Sequence, residues 1–192
     1  RQLQGERVLM LFPSGIEFIA AFFGCLYAGA LAVPAHPPKL NRSVHRLQSI
    51  VKDADAALIL TTAEIKEKIG SKLDHVPDLA NLDWVVSDAL PLTPNVAILP
   101  TTITSESIAF LQYTSGSTSD PKGVMVSHSN LLYNLANIKY QTGVHSESRF
   151  FSWLPNFHDN GLVDGILLPL FLRYTWRIDV AVTFFTKARP MV

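Results

Sequence analysis

Residues 112–123 read Gln-Tyr-Thr-Ser-Gly-Ser-Thr-Ser-Asp-Pro-Lys-Gly, and five of the six positions 114–119 carry a hydroxyl group. A polyphosphate has many acceptor oxygens and no donors, so hydroxyls, backbone N–H groups and a lysine charge can surround it. Gly116 lets the backbone come close, Pro121 restricts the exit, and Lys122 supplies a compact cation. The stretch therefore indicates a phosphate-binding loop.

The same stretch has other interpretations. A solvated Ser/Thr turn between two strands has a similar composition. Ser119 and Lys122 also satisfy Ser-x-x-Lys, the nucleophile spacing of penicillin-recognising enzymes, but Pro121 disfavours the helix that this chemistry needs, and no Lys-Thr-Gly or Ser-Asp-Asn follows. The common nucleotide loop Gly-x-x-x-x-Gly-Lys-Ser/Thr does not fit, because Lys122 precedes Gly123.

Alternating strand and helix patterns predict an α/β fold of layered sheets and helices. Apolar runs on both sides of the hydroxyl loop predict that it joins two buried strands. Strands are predicted near residues 7–12, 57–61, 84–87, 108–114, 124–127 and 149–154. Helices are predicted near residues 44–51, at 62–73 with Thr62 as cap, and from a cap at Ser127 or Ser129 to about Tyr140 and a stop at Gly143. Residues 74–105, with four prolines, are predicted as a surface connection.

Residues 18–35 carry no charge and are long enough to be weighed as a membrane span. Two glycines and a proline interrupt the run, and no Lys or Arg cluster flanks its near side. We therefore predict a buried helix at 15–28, with Ser14 as N-cap and Gly29 as stop, followed by a short strand to Val33.

Composition is that of a globular enzyme. The 192 residues are 48% hydrophobic and 17% charged, and sixteen Lys plus Arg balance sixteen Asp plus Glu. A formal charge of zero without a dense basic run disfavours nucleic acid as a partner. The single Cys25 cannot form an intrachain disulfide, so we expect a buried thiol and a cytoplasmic protein.

A second candidate site lies in residues 151–162, Phe-Ser-Trp-Leu-Pro-Asn-Phe-His-Asp-Asn-Gly-Leu. An apolar strand ends at the proline and a helix is predicted to begin near Gly161, which places His158 at a strand-to-helix turn. In open α/β sheets such turns face the ligand crevice. The alternative is that Asp159 or Asn160 caps the helix and the histidine is a loop residue. No metal site is predicted, because no second ligand stands at metal spacing on this element.

Both segments resemble signatures of the adenylate-forming (AMP-binding) superfamily. Its phosphate signature is usually written Tyr-Thr-Ser-Gly-Ser/Thr-Thr-Gly-x-Pro-Lys-Gly-Val, and residues 113–124 follow it except for Ser119, where the family usually has glycine. If that position needs a positive φ, serine costs about 1 kcal/mol. Phe157 and His158 match the next core segment, in which the histidine lines the acyl-adenylate pocket.

The sequences of two segments are similar to those of the fatty acyl-AMP ligase branch. These are Ser-Trp-Leu-Pro-x-Phe-His-Asp-x-Gly-Leu at 152–162 and Tyr-Ala-Gly-Ala-Leu-Ala-Val-Pro-Ala-His-Pro-Pro at 27–38, the latter followed by Asn-Arg-Ser at 41–43. Asn160 stands where the family often has Met. The resemblance runs over about residues 5–172.

The resemblance implies a ligase that activates a fatty acid or another carboxylate with ATP, usually with Mg²⁺, to give acyl-AMP and pyrophosphate. The acyl group would pass to an acyl carrier protein, a polyketide synthase or coenzyme A. His158 would position the acyl carboxylate or the adenylate, and Asp159 and Gly161 would shape the turn of the substrate pocket. The implied phosphate clamp consists of Thr114, Ser115, Gly116, Ser117, Thr118 and Lys122.

Other parts of the family pattern are missing from the sequence. It contains no Tyr-Gly-x-Thr-Glu adenine segment, ribose-binding Asp or C-terminal catalytic Lys, and residues 173–192 depart from the glycine turn and apolar strand expected there. We therefore expect residues 1–192 to be a partial N-terminal adenylation domain without the C-terminal subdomain, inactive by itself. The alternatives are a non-catalytic nucleotide- or acyl-binding remnant and a membrane-associated protein built on residues 18–35.

Overall fold

The computed structural model describes residues 3–38, 41–73, 77–91, 102–114, 121–173 and 176–178. The chain forms two compact units, Arg1–Ser129 and Asn130–Val192. Strands and helices alternate through both units, which confirms the predicted α/β class.

The first unit contains a six-stranded sheet with the strand order β4-β3-β1-β2-β5-β6. Every neighbouring pair is parallel except β5 and β6, which are antiparallel. The strands are β1 (Arg7–Leu11), β2 (Leu31–Ala35), β3 (Leu58–Thr61), β4 (Asp83–Val86), β5 (Ile108–Tyr113) and β6 (Gly123–Ser127). The predicted strands are thus present, with ends shifted by one or two residues.

Helices connect the strands of this sheet. They are α1 (Ile16–Tyr27), α2 (Asn41–Ala54), α3 (Ala63–Leu73) and the single turn α4 (Pro77–Ala80), with a 3₁₀ turn at Ser87–Ala89. Gly29 has φ 69° just after α1, as expected for a glycine stop. Thr62 caps α3, because its hydroxyl accepts a hydrogen bond from the N–H of Ile65 at 3.4 Å. The predicted Ser14 cap is wrong: Gly15, at φ 147°, is the N-cap of α1 and makes no side-chain cap bond.

Both faces of the sheet are covered by helices. On one face α2 and α3 pack against β1, β2, β3 and β5. On the other, Phe22 of α1 meets Phe110 of β5, with ring centroids 5.8 Å apart and planes at 69°. Cys25 is also buried, as predicted, and burial raises the pKa of its thiol to about 12. The apolar cluster on the α2 face includes Leu9, Leu11, Val33, Val44, Leu47, Ile50, Val51, Ile59, Leu111 and Tyr113.

Two strand predictions need correction. The hydroxyl loop joins one buried strand, β5, to an edge strand whose Val124 and Met125 are 51% and 69% exposed. An antiparallel edge strand pairs on one side only and can face water, which the apolar pattern does not reveal. The strand predicted to end at Val33 continues through Pro34 to Ala35. Its pairing with β5 involves Ala32, so the missing N–H of the proline removes no bond from that ladder.

The second unit is built from α5 (His128–Thr142), which begins where the first unit ends, and a two-stranded parallel sheet of β7 (Phe150–Ser152) and β8 (Trp176–Ile178). Between these strands run α6 (Asp159–Leu162), a π-helical turn (Val163–Leu167) and α7 (Leu168–Leu172). Gly143, at φ 69°, ends α5 as predicted.

The uncharged run at residues 18–35 is divided between α1 and β2, which confirms the predicted helix followed by a strand. In the described part of the chain, no helix combines the length and apolar character needed to cross a membrane.

The packing of α1 predicts a large loss of stability for Phe22→Ala. Phe22 is fully buried between Phe18 and Phe110, so its truncation should lower the free energy of unfolding by about 3–5 kcal/mol. Tyr27→Ala is the matched control on the same helix, because Tyr27 is 53% exposed. Urea denaturation followed by circular dichroism measures both, and equal losses would contradict the packing described.

Candidate functional site

The hydroxyl loop lies between the paired ends of β5 and β6. Tyr113 stands opposite Gly123 in the antiparallel pair, so Thr114 and Lys122 leave and enter the sheet at the same end. Both side chains are exposed. The structure therefore places the first and last predicted phosphate ligands where the hydroxyl loop joins β5 and β6. We call this place, residues 113–114 and 122–123, the loop root. The other four predicted ligands, Ser115, Gly116, Ser117 and Thr118, lie outside the described residues.

The ring of Tyr113 covers Gly123 at the root of this loop. A Cβ atom on Gly123 would lie 2.8 Å from Cζ of the tyrosine, so glycine is required for this approach. The tyrosine hydroxyl donates a hydrogen bond to the Asp53 carboxylate of α2, with Oη and Oδ2 2.6 Å apart. Burial of the ring and the neighbouring Asp53 raise the pKa of the Tyr113 phenol, which remains a donor at neutral pH.

A second residue of α2 reaches the same strand end. Arg46 Nη2 donates a hydrogen bond to the carbonyl oxygen of Thr114 at 3.2 Å. Sequence reasoning missed both Arg46 and Asp53, because their partners lie 68 and 60 residues away along the chain. The only signal in the sequence is their spacing of seven residues, which puts both on one side of a helix.

In the second unit, His158 occupies the turn between β7 and α6, as predicted. It is the N-cap residue of α6, its side chain makes no cap bond, and it is exposed. Its backbone N–H donates to the carbonyl of Pro155 at 3.1 Å, and its own carbonyl accepts from the N–H of Leu162 at 2.8 Å. The imidazole lies against Phe157, with centroids 5.0 Å apart. The alternative in which Asp159 or Asn160 caps the helix is wrong, since α6 begins at Asp159.

Gly161 lets α6 lie close to the backbone of Pro155, in the turn that follows β7. A Cβ atom at this position would lie 2.0 Å from the carbonyl oxygen of Pro155 and 2.7 Å from its carbon. Both are backbone atoms that cannot move away without changing the turn. Any residue with a side chain at 161 would therefore displace the backbone on which His158 lies.

A cavity of about 630 Å³ opens beside this turn within the second unit. Aromatic and aliphatic side chains form much of its wall, with Asp159 and Asp164 among them; His158 and Gly161 are not among its lining residues. Burial and, to a smaller extent, the Asp159 charge raise the pKa of the half-buried Asp164 carboxyl. The apolar lining residues include Ile138, Val144, Phe150, Phe151, Trp153, Leu154, Val163 and Leu168. Over the described ranges, no three His, Cys, Asp or Glu residues are grouped so as to hold a metal ion.

The AMP-binding enzyme family matches residues 2–182 of this chain. The chain belongs to the AMP-binding enzyme family.

Several of its relatives within the family are fatty-acid ligases by name. The medium-chain-fatty-acid–[acyl-carrier-protein] ligase JamA of Moorena producens is 45% identical over 175 residues, covering 88% of this chain and 29% of JamA. The putative fatty-acid–CoA ligase FadD21 of Mycobacterium tuberculosis is 36% identical over 195 residues, covering 95% of this chain and 32% of FadD21. The chain thus spans less than a third of the length of these curated relatives.

A crystal structure of the fatty acyl-adenylate ligase from L. pneumophila, in complex with acyl adenylate and pyrophosphate, has the same fold. The TM-score is 0.85 and the identity 39%, over 96% of this chain and 31% of that chain. These comparisons confirm the resemblance to the adenylate-forming superfamily and to its fatty acyl-AMP ligase branch. The roles of the individual site residues stay predictions.

The contact at Gly161 in this AMP-binding enzyme predicts that Gly161→Ala destabilises the second unit. We expect a loss on the order of 3 kcal/mol, because the new methyl group overlaps the Pro155 carbonyl. Gly24→Ala is the control: it lies within a helix with open space around it, so alanine should stabilise by about 0.5–1 kcal/mol. Thermal unfolding of both variants measures the contrast. Similar melting temperatures would show that the close approach is absent.

The raised pKa of Asp164 predicts a pH-dependent effect of Asp164→Asn. A carboxyl that is easier to ionise in the unfolded chain destabilises the fold as pH rises from the ordinary value of 3.8 through the raised folded value. The Asn variant should therefore be more stable than wild type at pH 7, and this advantage should vanish as the pH falls below 3.8. Asp159→Asn removes the neighbouring charge, which is the smaller cause of the raised Asp164 pKa, so it should give part of the same stabilisation at pH 7. Urea titrations at several pH values provide the measurement, and a pH-independent difference would be the contrary result.

Proposed function

We propose that this chain is part of an ATP-dependent ligase that activates a fatty acid, or another carboxylate, as the acyl adenylate with release of pyrophosphate. The observation that carries the proposal is its likeness, at 39% identity over 96% of its length, to a ligase solved with acyl adenylate and pyrophosphate. Residues 1–192 then form part of an N-terminal adenylation domain.

The phosphate clamp is proposed to consist of Thr114 and Lys122 at the loop root, with Ser115, Gly116, Ser117 and Thr118 between them. When the carboxylate attacks the α-phosphorus of ATP, negative charge builds on the departing pyrophosphate. Donors and a lysine charge fixed around those oxygens stabilise the transition state more than the ground state. The exposure of both root residues is compatible with contact to a charged ligand.

Mg²⁺ is proposed to accompany ATP, where it would neutralise part of the phosphate charge. The described residues contain no group of three His, Cys, Asp or Glu that fits it, so we assign it no ligand from them.

His158 is proposed to position the acyl carboxylate or the adenylate. Its imidazole is exposed and makes no helix-cap bond, so a ring N–H can donate to a carboxylate or phosphate oxygen. Asp159 and Gly161 are proposed to shape the turn of the substrate pocket, Gly161 through its approach to Pro155 and Asp159 as part of the wall of the neighbouring cavity. The apolar wall of the neighbouring cavity is suited to an alkyl chain.

The acceptor of the acyl group is proposed to be an acyl carrier protein, including one of a polyketide synthase, or coenzyme A. Both types of acceptor occur in the names of the relatives, JamA and FadD21. The lone, buried Cys25 suits a reducing compartment, and we place the reaction in the cytoplasm.

The clamp proposal predicts that Lys122→Ala weakens ATP binding by about tenfold, because a charge-assisted contact to phosphate is lost. Isothermal titration of the 192-residue chain with ATP measures the affinity. Pyrophosphate should show a similar loss, because the lost contact is to phosphate oxygens. Lys66→Ala is the control, since Lys66 is an exposed lysine on α3 in the same unit. An unchanged affinity for Lys122→Ala, or a wild-type chain that does not bind ATP, would contradict the proposal.

A further inference from the structure

Helix α2 holds the end of β5 through two side chains. Asp53 accepts a hydrogen bond from the hydroxyl of Tyr113 at 2.6 Å, and Arg46 donates one to the carbonyl of Thr114 at 3.2 Å. Tyr113 and Thr114 are the two residues that immediately precede the rest of the hydroxyl loop.

Each contact fixes a different part of the root. The bond to Asp53 anchors the tyrosine ring, which in turn lies over Gly123 and so ties β5 to the start of β6. The bond from Arg46 fixes the direction of the Thr114 carbonyl. Because a peptide group is planar, this also fixes the plane of the peptide through which the chain leaves β5. Together the two contacts determine the direction in which the chain enters the loop.

We propose that Arg46 and Asp53 are positioning residues for phosphate binding: they hold Tyr113 and Thr114 so that the Thr114 hydroxyl is preorganised for contact with the phosphates. The inference rests on the proposed function. Arg46 and Asp53 need not touch ATP, and their action is transmitted through the strand end.

For Arg46, exposure distinguishes this role from simple stabilisation of the fold. Its side chain and its contact with Thr114 are exposed, and exposed polar contacts contribute little to folding stability. The bond between Asp53 and the buried Tyr113 is partly buried, so its loss should also lower stability. The remainder of β5 is already held by the buried cluster under α2. Ligand affinity is more sensitive than folding stability to the loss of such a contact, because misplaced donors must reorganise when a charged ligand binds. Loss of the Arg46 contact should therefore affect affinity more than stability, whereas loss of the Asp53 contact should affect both.

Arg7 of β1, which contacts the C-terminal end of the same helix, offers a matched control. Its Nε donates to the carbonyl of Ala54 at 2.9 Å and its Nη2 to that of Asp55 at 2.9 Å. These bonds also join an arginine to backbone carbonyls between α2 and the sheet, but they lie at the first residue of β1, away from the loop.

The test is titration of the 192-residue chain with ATP and pyrophosphate, well below the melting temperature of each variant. Arg46→Ala, Asp53→Ala and Tyr113→Phe should each weaken binding of both ligands about three- to tenfold, as expected for one lost hydrogen bond that aligns a charged site. Arg46→Lys and Asp53→Asn, which keep a donor and an acceptor, should recover part of the affinity. Arg7→Ala should lower the melting temperature and leave the affinity unchanged.

The inference is overturned if Arg46→Ala and Asp53→Ala bind ATP as wild type does, or if Arg7→Ala weakens binding equally. It is also overturned if Arg46→Ala alone has an effect, because that result assigns Arg46 a direct charge contact with the phosphates. Failure of the proposed function has a different signature: wild type does not bind ATP, or Lys122→Ala binds it normally. Either of those results removes this inference as well.

Discussion

The first unit depends on the burial of β1 on both of its faces. Residues Val8 to Leu11 are 1% exposed or less, so their backbone N–H and C=O groups must find partners inside the protein. They do so in parallel pairing with β2 on one side and β3 on the other. A parallel sheet needs helices over both faces, which α1 provides on one side and α2 with α3 on the other. Its strands also end at a common edge, where open α/β sheets bind ligands, and Thr114 follows β5 at that edge.

Helix α2 serves both this core and the candidate site. Val44, Leu47 and Val51 recur at helical spacing and are buried against the sheet. Arg46 and Asp53 lie on the exposed surface of the same helix and contact the end of β5. The packing of the apolar stripe against the sheet therefore determines the position of Arg46 and Asp53 relative to the end of β5. The geometry of the loop root is in this way a consequence of how the core is closed.

Local patterns predicted much of this arrangement, and the limits have physical causes. The apolar runs, the Thr62 cap and the glycine stops at Gly29 and Gly143 depend on neighbours within a few residues, and the structure has them. The exposure of β6 depends on its position at the sheet edge, which a single strand cannot specify. The contact of Arg46 with Thr114 joins residues 68 positions apart, and no local pattern encodes it. The raised pKa of the Asp164 carboxyl is likewise not encoded by a local pattern, because it comes from burial in the folded unit.

Each of the two candidate sites has a glycine close to its proposed functional residue. One site lies in the first unit and the other in the second. Gly123 admits the Tyr113 ring next to Lys122, and Gly161 admits the Pro155 carbonyl close to His158. In neither case can the neighbour easily withdraw: the ring is tethered through its hydroxyl, and the carbonyl belongs to the backbone. A side chain at either position would push apart the segments that carry the functional group. The two sites therefore depend on these glycines as well as on the polar residues proposed to contact the substrate.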